Sequence, residues 1–301
     1  MLKRKQSQLK ANLQQKPSNN SAKASQLNSA KNQLARLPQV LSRKSSQSSV
    51  VANGRGIWLY GKHPVFLALQ KKRREIFEII ATKNSVNELE KFLQEKNLHN
   101  YAAKIKLVDG HFIDAIIGEG QIHQGLALNC SALPSKSQNN LLDELEKIKQ
   151  RGEKLPTLLI MDQLRDPHNV GAIIRSACAF GVDKIIFPEH NFPKESAVIN
   201  KTSSGMIENV DLFLVVNLSN LMAKLKELGY WCIGLAGEAT ELVDKIQEYK
   251  NIALVVGSEG EGIRDLVKKN CDLLMKISIS DKVESLNASV AASIALREIA
   301  R

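Results

Sequence analysis

The sequence predicts an α/β fold in two units, a small α/β domain followed by a larger one built on a parallel sheet. Three observations carry that reading. Apolar runs begin near Thr157, Asp183, Val210, Tyr230, Ile252 and Leu273, each 20 to 27 residues after the last, with helical segments between most of them. Strand-helix-strand spacing of this kind implies crossovers between parallel strands and helices on both faces of the sheet. A polar break at Ser135 to Asn140 separates this repeat from a shorter set of apolar runs between Ile57 and Leu133. The 301 residues, 43% hydrophobic and 24% charged, supply enough apolar surface for two modest cores.

The elements follow in chain order. Ile57 to Tyr60 alternates as a short strand, Pro64 to Gln70 is helical, and Ile76 to Ala81 is a strand. Ser85-Val86-Asn87-Glu88 has the spacing of a capping box opening a helix to about Glu95. Ile105 to Val108 and Gly125 to Asn129 close the small unit near Leu133. Leu141, Leu142, Leu145 and Ile148 then form a helical stripe within a linker over residues 135 to 156, and the second domain occupies 157 to 301.

Residues 1 to 50 differ from the rest. They hold ten of the 42 Lys and Arg and no Asp or Glu, whereas the remainder carries 32 basic and 31 acidic side chains. Rich in Ser, Gln and Asn, this segment has too little apolar surface to offset the entropy of ordering, and it reads as a flexible basic arm suited to RNA. A solvated tail and an organellar presequence are the other readings, so a mitochondrial location stands behind a cytoplasmic one. No window approaches the roughly 18 apolar residues of a membrane span, and the N-terminus lacks the apolar region of a secretory signal. Cys130, Cys178, Cys232 and Cys271 lie far apart among apolar neighbours. They predict neither a metal site nor a disulfide framework, and they fit a reducing compartment.

In an open parallel sheet, ligands bind beyond the carboxyl ends of the strands. Three such ends stand out. After Leu158 to Met161, the chain breaks at Asp166-Pro167; Asn169 takes the place of a helix N-cap, and Arg175 lies off the apolar stripe with Gly171 and Ala179 one turn away on either side. That spacing leaves room for an anion at the guanidinium, although a solvated surface Arg fits as well. After Ala253 to Val256 comes Gly257-Ser258-Glu259-Gly260-Glu261-Gly262, leading into a helix from Arg264 to Asn270. This is neither a Walker loop nor a dinucleotide fingerprint, and its two carboxylates favour a neutral or cationic ligand. After Leu274 to Ile277, Ser285 and Asn287 cluster at the start of a final helix rich in small residues, where simple capping is the alternative role.

Asn-x-Gly-x-x-x-Arg-x-Ala, Gly-x-Glu-x-x-Gly and Ser-Leu-Asn, in this order after three strands, resemble the three motifs of the SpoU/TrmH family of RNA ribose 2′-O-methyltransferases, within the SPOUT superfamily. The likeness spans Thr157 to Arg301. The leading unit, with His123-Gln124-Gly125 before its last strand, resembles the ribosomal-protein-like substrate-binding domain of many members. The bacterial branch that methylates a guanosine of large-subunit (23S) ribosomal RNA is the nearest pattern, and Ser278 stands where a Pro is usual. The resemblance implies a C-terminal trefoil knot, S-adenosylmethionine as cofactor, and a homodimer with no metal. It places Gly257, Ile277 and Leu286 at the cofactor, with Leu235-Ala236-Gly237 as a further contributor, and Asn169, Arg175, Glu259, Ser285 and Asn287 at the functional polar positions. Guanidinium stays protonated in proteins. Arg175 is therefore expected to pair with the substrate phosphate and stabilise developing charge, its fork fixed by Glu259, while Asn169, Ser285 and Asn287 orient ribose and cofactor. His168 offers an alternative base, because histidine as a residue type titrates near neutral pH. A tRNA-directed enzyme of the same fold and a non-catalytic RNA-binding protein are the alternative functions.

Overall fold

Two sheets, one of four strands and one of eight, carry the fold in the computed structural model, which describes residues 56–191 and 195–301. The basic arm expected over residues 1 to 50 lies outside the described residues.

The first sheet comprises β1 (Ile57–Tyr60), β2 (Ile76–Ala81), β3 (Ile105–Leu107) and β4 (Leu126–Cys130) in the order β1-β4-β2-β3. β4 is buried along its whole length because β1 and β2 flank it antiparallel. Helices α1 (Lys62–Lys71) and α2 (Lys83–Glu95) bury Val65, Leu69, Leu89 and Leu93 against one face, and α3 (Gly110–Ile117) brings Ile113 to the other. The start of α2 differs from the Ser85-x-x-Glu88 reading. Thr82 is the N-cap, and Ser85 is the third helical residue, whose Oγ accepts from the Thr82 N–H at 3.1 Å. Glu88 is turned outward to pair with Lys62 at 2.5 Å.

The second sheet is wholly parallel. Its strands are β5 (Lys136–Ser137), β6 (Leu158–Met161), β7 (Lys184–Pro188), β8 (Asp211–Val215), β9 (Trp231–Leu235), β10 (Glu241–Leu242), β11 (Ile252–Val256) and β12 (Leu273–Lys276). They are ordered β10-β12-β9-β11-β6-β7-β8-β5. Alternation sorts the side chains by face. Leu159, Met161, Leu254 and Val256 meet α5 (Pro167–Ala179) and α9 (Ala288–Ile299), while Leu158, Ile160, Ala253 and Val255 meet α4 (Gln138–Gln150), α7 (Leu218–Leu228) and α8 (Asp265–Lys269). The chain reverses its winding direction at β6 and β11, which are paired neighbours, so a crevice is expected beyond their carboxyl ends.

Residues 135 to 156 do more than link. β5 pairs with β8 as the outermost strand, and Leu141 and Leu145 of α4 are fully buried, since the two apolar positions per turn seal a face that β8 would otherwise expose. A short helix, α6 (Ala197–Thr202), packs on α5. No helix among the described residues is long and apolar enough to cross a membrane.

Candidate active site

The loops after β6, β11 and β12 converge at one end of the second sheet. The first helix to rise from them, α5, is capped by Asp166 and not by Asn169: the Asp166 carboxylate accepts the His168 N–H at 3.0 Å, and Pro167, which lacks an N–H, occupies the first turn. Asn169 is thereby moved inside the helix and freed for another partner. Its Oδ1 accepts a hydrogen bond from Asn287 Nδ2 at 2.9 Å.

Asn287 is the hub. Its Nδ2 also donates to Glu259 Oε2 at 2.9 Å, and its Oδ1 accepts from the N–H and hydroxyl of Ser289 at 2.9 and 2.6 Å, which caps α9. Capping and bridging therefore coexist in one side chain. The three loops are held together through Asn169, Glu259 and Asn287, whose sequence positions are far apart.

The glycine loop is shaped by backbone alone. Ser258 and Gly262 exchange two hydrogen bonds of 3.0 Å, folding the loop into a tight hairpin with Glu259 at its tip. Gly257 beneath it is obligatory: a Cβ there would lie 2.1 Å from the Gly262 carbonyl carbon and 2.3 Å from the Ile263 nitrogen. Just beyond, the fully buried Asp162 at the end of β6 accepts from the Arg264 backbone N–H at 2.9 Å, from Nε at 2.8 Å and from Nη2 at 2.7 Å. This ion pair anchors the far side of the glycine loop to the central strand, and the sequence reading passed over it.

The other expected site residues are placed differently. Ile277 follows β12 and Leu286 precedes α9, both half-buried. Among the described residues, neither uses its backbone N–H or carbonyl in a backbone hydrogen bond. Ser285 is exposed beside them. Ala236 of the further turn donates its N–H to Met275 at 3.0 Å. Arg175 is exposed and makes no hydrogen bond or ion pair among the described residues. Glu259 is joined to Asn287 instead, so the expected pairing that would fix the Arg175 fork is absent here. Six residues along a helix rotate the side chain roughly 120° from Asn169 and advance it about 9 Å, which keeps Arg175 from the hub. Gly171 does not open a path to Arg175 either. It is buried, and a Cβ on it would lie 2.7 Å from Thr202 Cβ, because α6 packs there.

The arrangement offers free backbone donors and acceptors at Ile277 and Leu286, a glycine floor, and a carboxylate at Glu259. Such a set suits a purine edge and a nearby cation. Burial pushes the thiols of Cys130, Cys232 and Cys271 up to about 12 and that of Cys178 to about 11, so none is poised as a nucleophile. Among the described residues, no group of three or more His, Cys, Asp or Glu side chains could hold a metal ion.

Residues 156–297 match the profile of the SpoU rRNA methylase family, and residues 58–136 match one described as RNA 2′-O ribose methyltransferase substrate binding. The 23S rRNA (guanosine-2′-O-)-methyltransferase RlmB of Xylella fastidiosa is 33% identical over 83% of this chain and 98% of its own length. The protein of that name from Pasteurella multocida is 35% identical over 81% and 97%. Among solved structures, an AdoMet-bound rRNA methyltransferase from Sinorhizobium meliloti superimposes with a TM-score of 0.65 at 18% identity, covering 81% of this chain and 87% of that one. The SpoU methyltransferase AviRb from Streptomyces viridochromogenes gives 0.64 at 19%, covering 82% and 89%. At these identities the two structures establish a shared fold.

Proposed function

Because the chain belongs to the SpoU rRNA methylase family, we propose that it transfers a methyl group from S-adenosylmethionine to a ribose 2′-hydroxyl of a guanosine in 23S ribosomal RNA. The observation that carries this reading is the Asn169–Asn287–Glu259 hub, because it joins the polar residues of all three motifs at the carboxyl end of the sheet. A protein that only held RNA would have no use for a carboxylate fixed beside a glycine floor.

Gly257, Ile277 and Leu286 would hold the cofactor, through close backbone approach at the first and free backbone groups at the other two. When bound, S-adenosylmethionine supplies an electrophilic methyl group on a sulfonium. The chain's own residues do the rest. Asn169 orients the ribose through its Nδ2 and is held in place by Asn287, whose own amide is spent on Asn169, Glu259 and Ser289; Ser285 stands at the entrance, and Glu259 gives the crevice a negative potential that favours a cationic ligand over a polyphosphate. A 2′-hydroxyl is a weak nucleophile, so alignment and stabilisation of its developing negative charge are the main tasks. Arg175 supplies the positive charge, paired with the adjoining phosphate.

Since Arg175 points away from its own hub, the reading includes a homodimer in which Arg175 serves the partner's site. A shallow recess between the end of α5 and α9, lined by Phe180, Val290, Ser293, Ile294 and Arg297, is the face a second copy would cover. The C-terminal knot and a cytoplasmic location belong to the same reading. Mapping 2′-O-methyl groups in 23S rRNA from cells with and without the protein tests it. One guanosine should lose its methyl group in the deletion, whereas an unchanged 23S map with loss of a tRNA ribose methyl would transfer the reading to tRNA.

A further inference from the structure

Two consecutive arginines after α1 reach out of the small domain into the large one. Arg74 is fully buried. Its Nε donates to Glu208 Oε1 at 2.5 Å, Nη1 to the Ser131 carbonyl at 2.9 Å, and Nη2 to Asn200 Oδ1 at 3.4 Å and to Glu195. Glu195 in turn accepts from Asn200 Nδ2 at 2.8 Å and from the Leu133 N–H at 2.7 Å. Arg73 donates to the carbonyls of Glu208 and Val210 at 3.0 and 2.6 Å and to Asp211 at 3.1 Å.

The same segment of the large domain, residues 195 to 209, meets the small domain at two more places. Lys201 donates to the Ile122 carbonyl at 2.7 Å and lies 5.5 Å above the Tyr60 ring. Gly205, at φ 79°, approaches α1 so closely that a Cβ would sit 2.8 Å from Pro64 Cα. On its other side the segment packs on α5 at Gly171, two residues from Asn169. A continuous path of buried contacts thus runs from the small domain through α6 and α5 to the hub. Close-packed interiors transmit displacement and do not absorb it.

We propose that Arg74 is a positioning residue: it locks the small domain onto α6 in one orientation, so that structured RNA held by the small domain is presented in register to the methyl-transfer site. This rests on the function proposed above. The fold around Arg74 has the character of a clamp, because four large-domain or junction groups converge on one guanidinium that lysine could not satisfy.

The test compares wild type, Arg74→Gln, and Arg74→Gln combined with Glu195→Gln and Glu208→Gln. The combined variant leaves no buried charge unpaired and stands in if the single one fails to fold. Spin labels at cysteines replacing the exposed Lys91 and Lys224, in a background where the part-exposed Cys178 and Cys271 are replaced by serine, report the distance between the domains, the buried Cys130 and Cys232 being shielded from the label. Wild type should give one narrow distance and the variants a broad one. S-adenosylmethionine affinity should stay within threefold, KM for RNA should rise at least tenfold with kcat within threefold, and methyl groups should spread to neighbouring nucleotides. A broad distance in wild type overturns the lock. A broadened distance with unchanged KM and a single methylated position overturns the positioning role. If wild type methylates no RNA, the proposed function fails, yet the distance measurement still decides the lock.

Discussion

Gly257→Ala is a perturbation whose size can be worked from the structure. The added Cβ would fall 2.1, 2.2 and 2.3 Å from the Gly262 carbon, the Gly262 oxygen and the Ile263 nitrogen. All three are backbone atoms, so no side chain can swing aside. The hairpin must lift, which breaks the two 3.0 Å bonds between Ser258 and Gly262 at about 0.5–1.5 kcal/mol each and adds about 1–3 kcal/mol of overpacking strain. A net loss of about 2–6 kcal/mol corresponds to roughly 4–24 °C in Tm for a domain of this size. Lifting the hairpin also withdraws Glu259 from Asn287, so S-adenosylmethionine affinity should fall at least tenfold, about 1.4 kcal/mol. Gly237→Ala is the stability control, since a Cβ there meets nothing within 4 Å. Calorimetric titration and thermal unfolding of both variants provide the assay. Wild-type Tm and affinity in Gly257→Ala would refute the steric reasoning.

The Asp162–Arg264 pair should be asymmetric. Arg264→Met strands a fully buried carboxylate and should cost about 3–5 kcal/mol, whereas Asp162→Asn leaves an Arg that can still reach water and should cost about 2–3 kcal/mol. Urea unfolding giving the reverse order would contradict the assignment. Burial works against ionised Glu144, but hydrogen bonds from Lys136 and Lys184 outweigh it and hold its carboxyl below the ordinary 4.5. A lowered pKa means that its stabilisation is complete above pH 4.5 and is lost as pH falls through the folded value. For a group this exposed the amount is about 1 kcal/mol or less. The stability gap between wild type and Glu144→Gln should therefore be present at pH 7 and close in acid; a gap that stays constant to pH 3 would contradict it.

Much of the fold is legible in local pattern, because buried parallel strands are continuous apolar runs and the runs from Thr157 to Leu273 match β6, β7, β8, β9, β11 and β12. β5 and β10, with two residues each, carry no period to detect. The caps at Thr82 and Asp166 were displaced by three residues because Ser85 and Asn169 are equally good capping types; Pro167 at the first helical position was the discriminating signal. At the site, motif order singles out Asn169, Glu259 and Asn287, but their mutual bonds depend on loops brought together by the sheet. Asp162 with Arg264, and Arg74 with Glu195 and Glu208, were invisible for the same reason: each pair is separated by more than 100 residues.

The most direct test of the central claim follows a labelled methyl group. Wild-type protein, Arg175→Ala and Arg175→Lys would each be incubated with S-adenosylmethionine labelled in the methyl and with 23S rRNA lacking the modification, and the RNA digested to nucleosides. With wild type, the label should appear as 2′-O-methylguanosine and remain on the ribose after glycosidic cleavage. Arg175→Ala should bind the cofactor normally but transfer at least 100-fold more slowly, about 3 kcal/mol of lost transition-state stabilisation, and Arg175→Lys should recover little of it. Label on the base, or undiminished transfer by Arg175→Ala, would contradict the account.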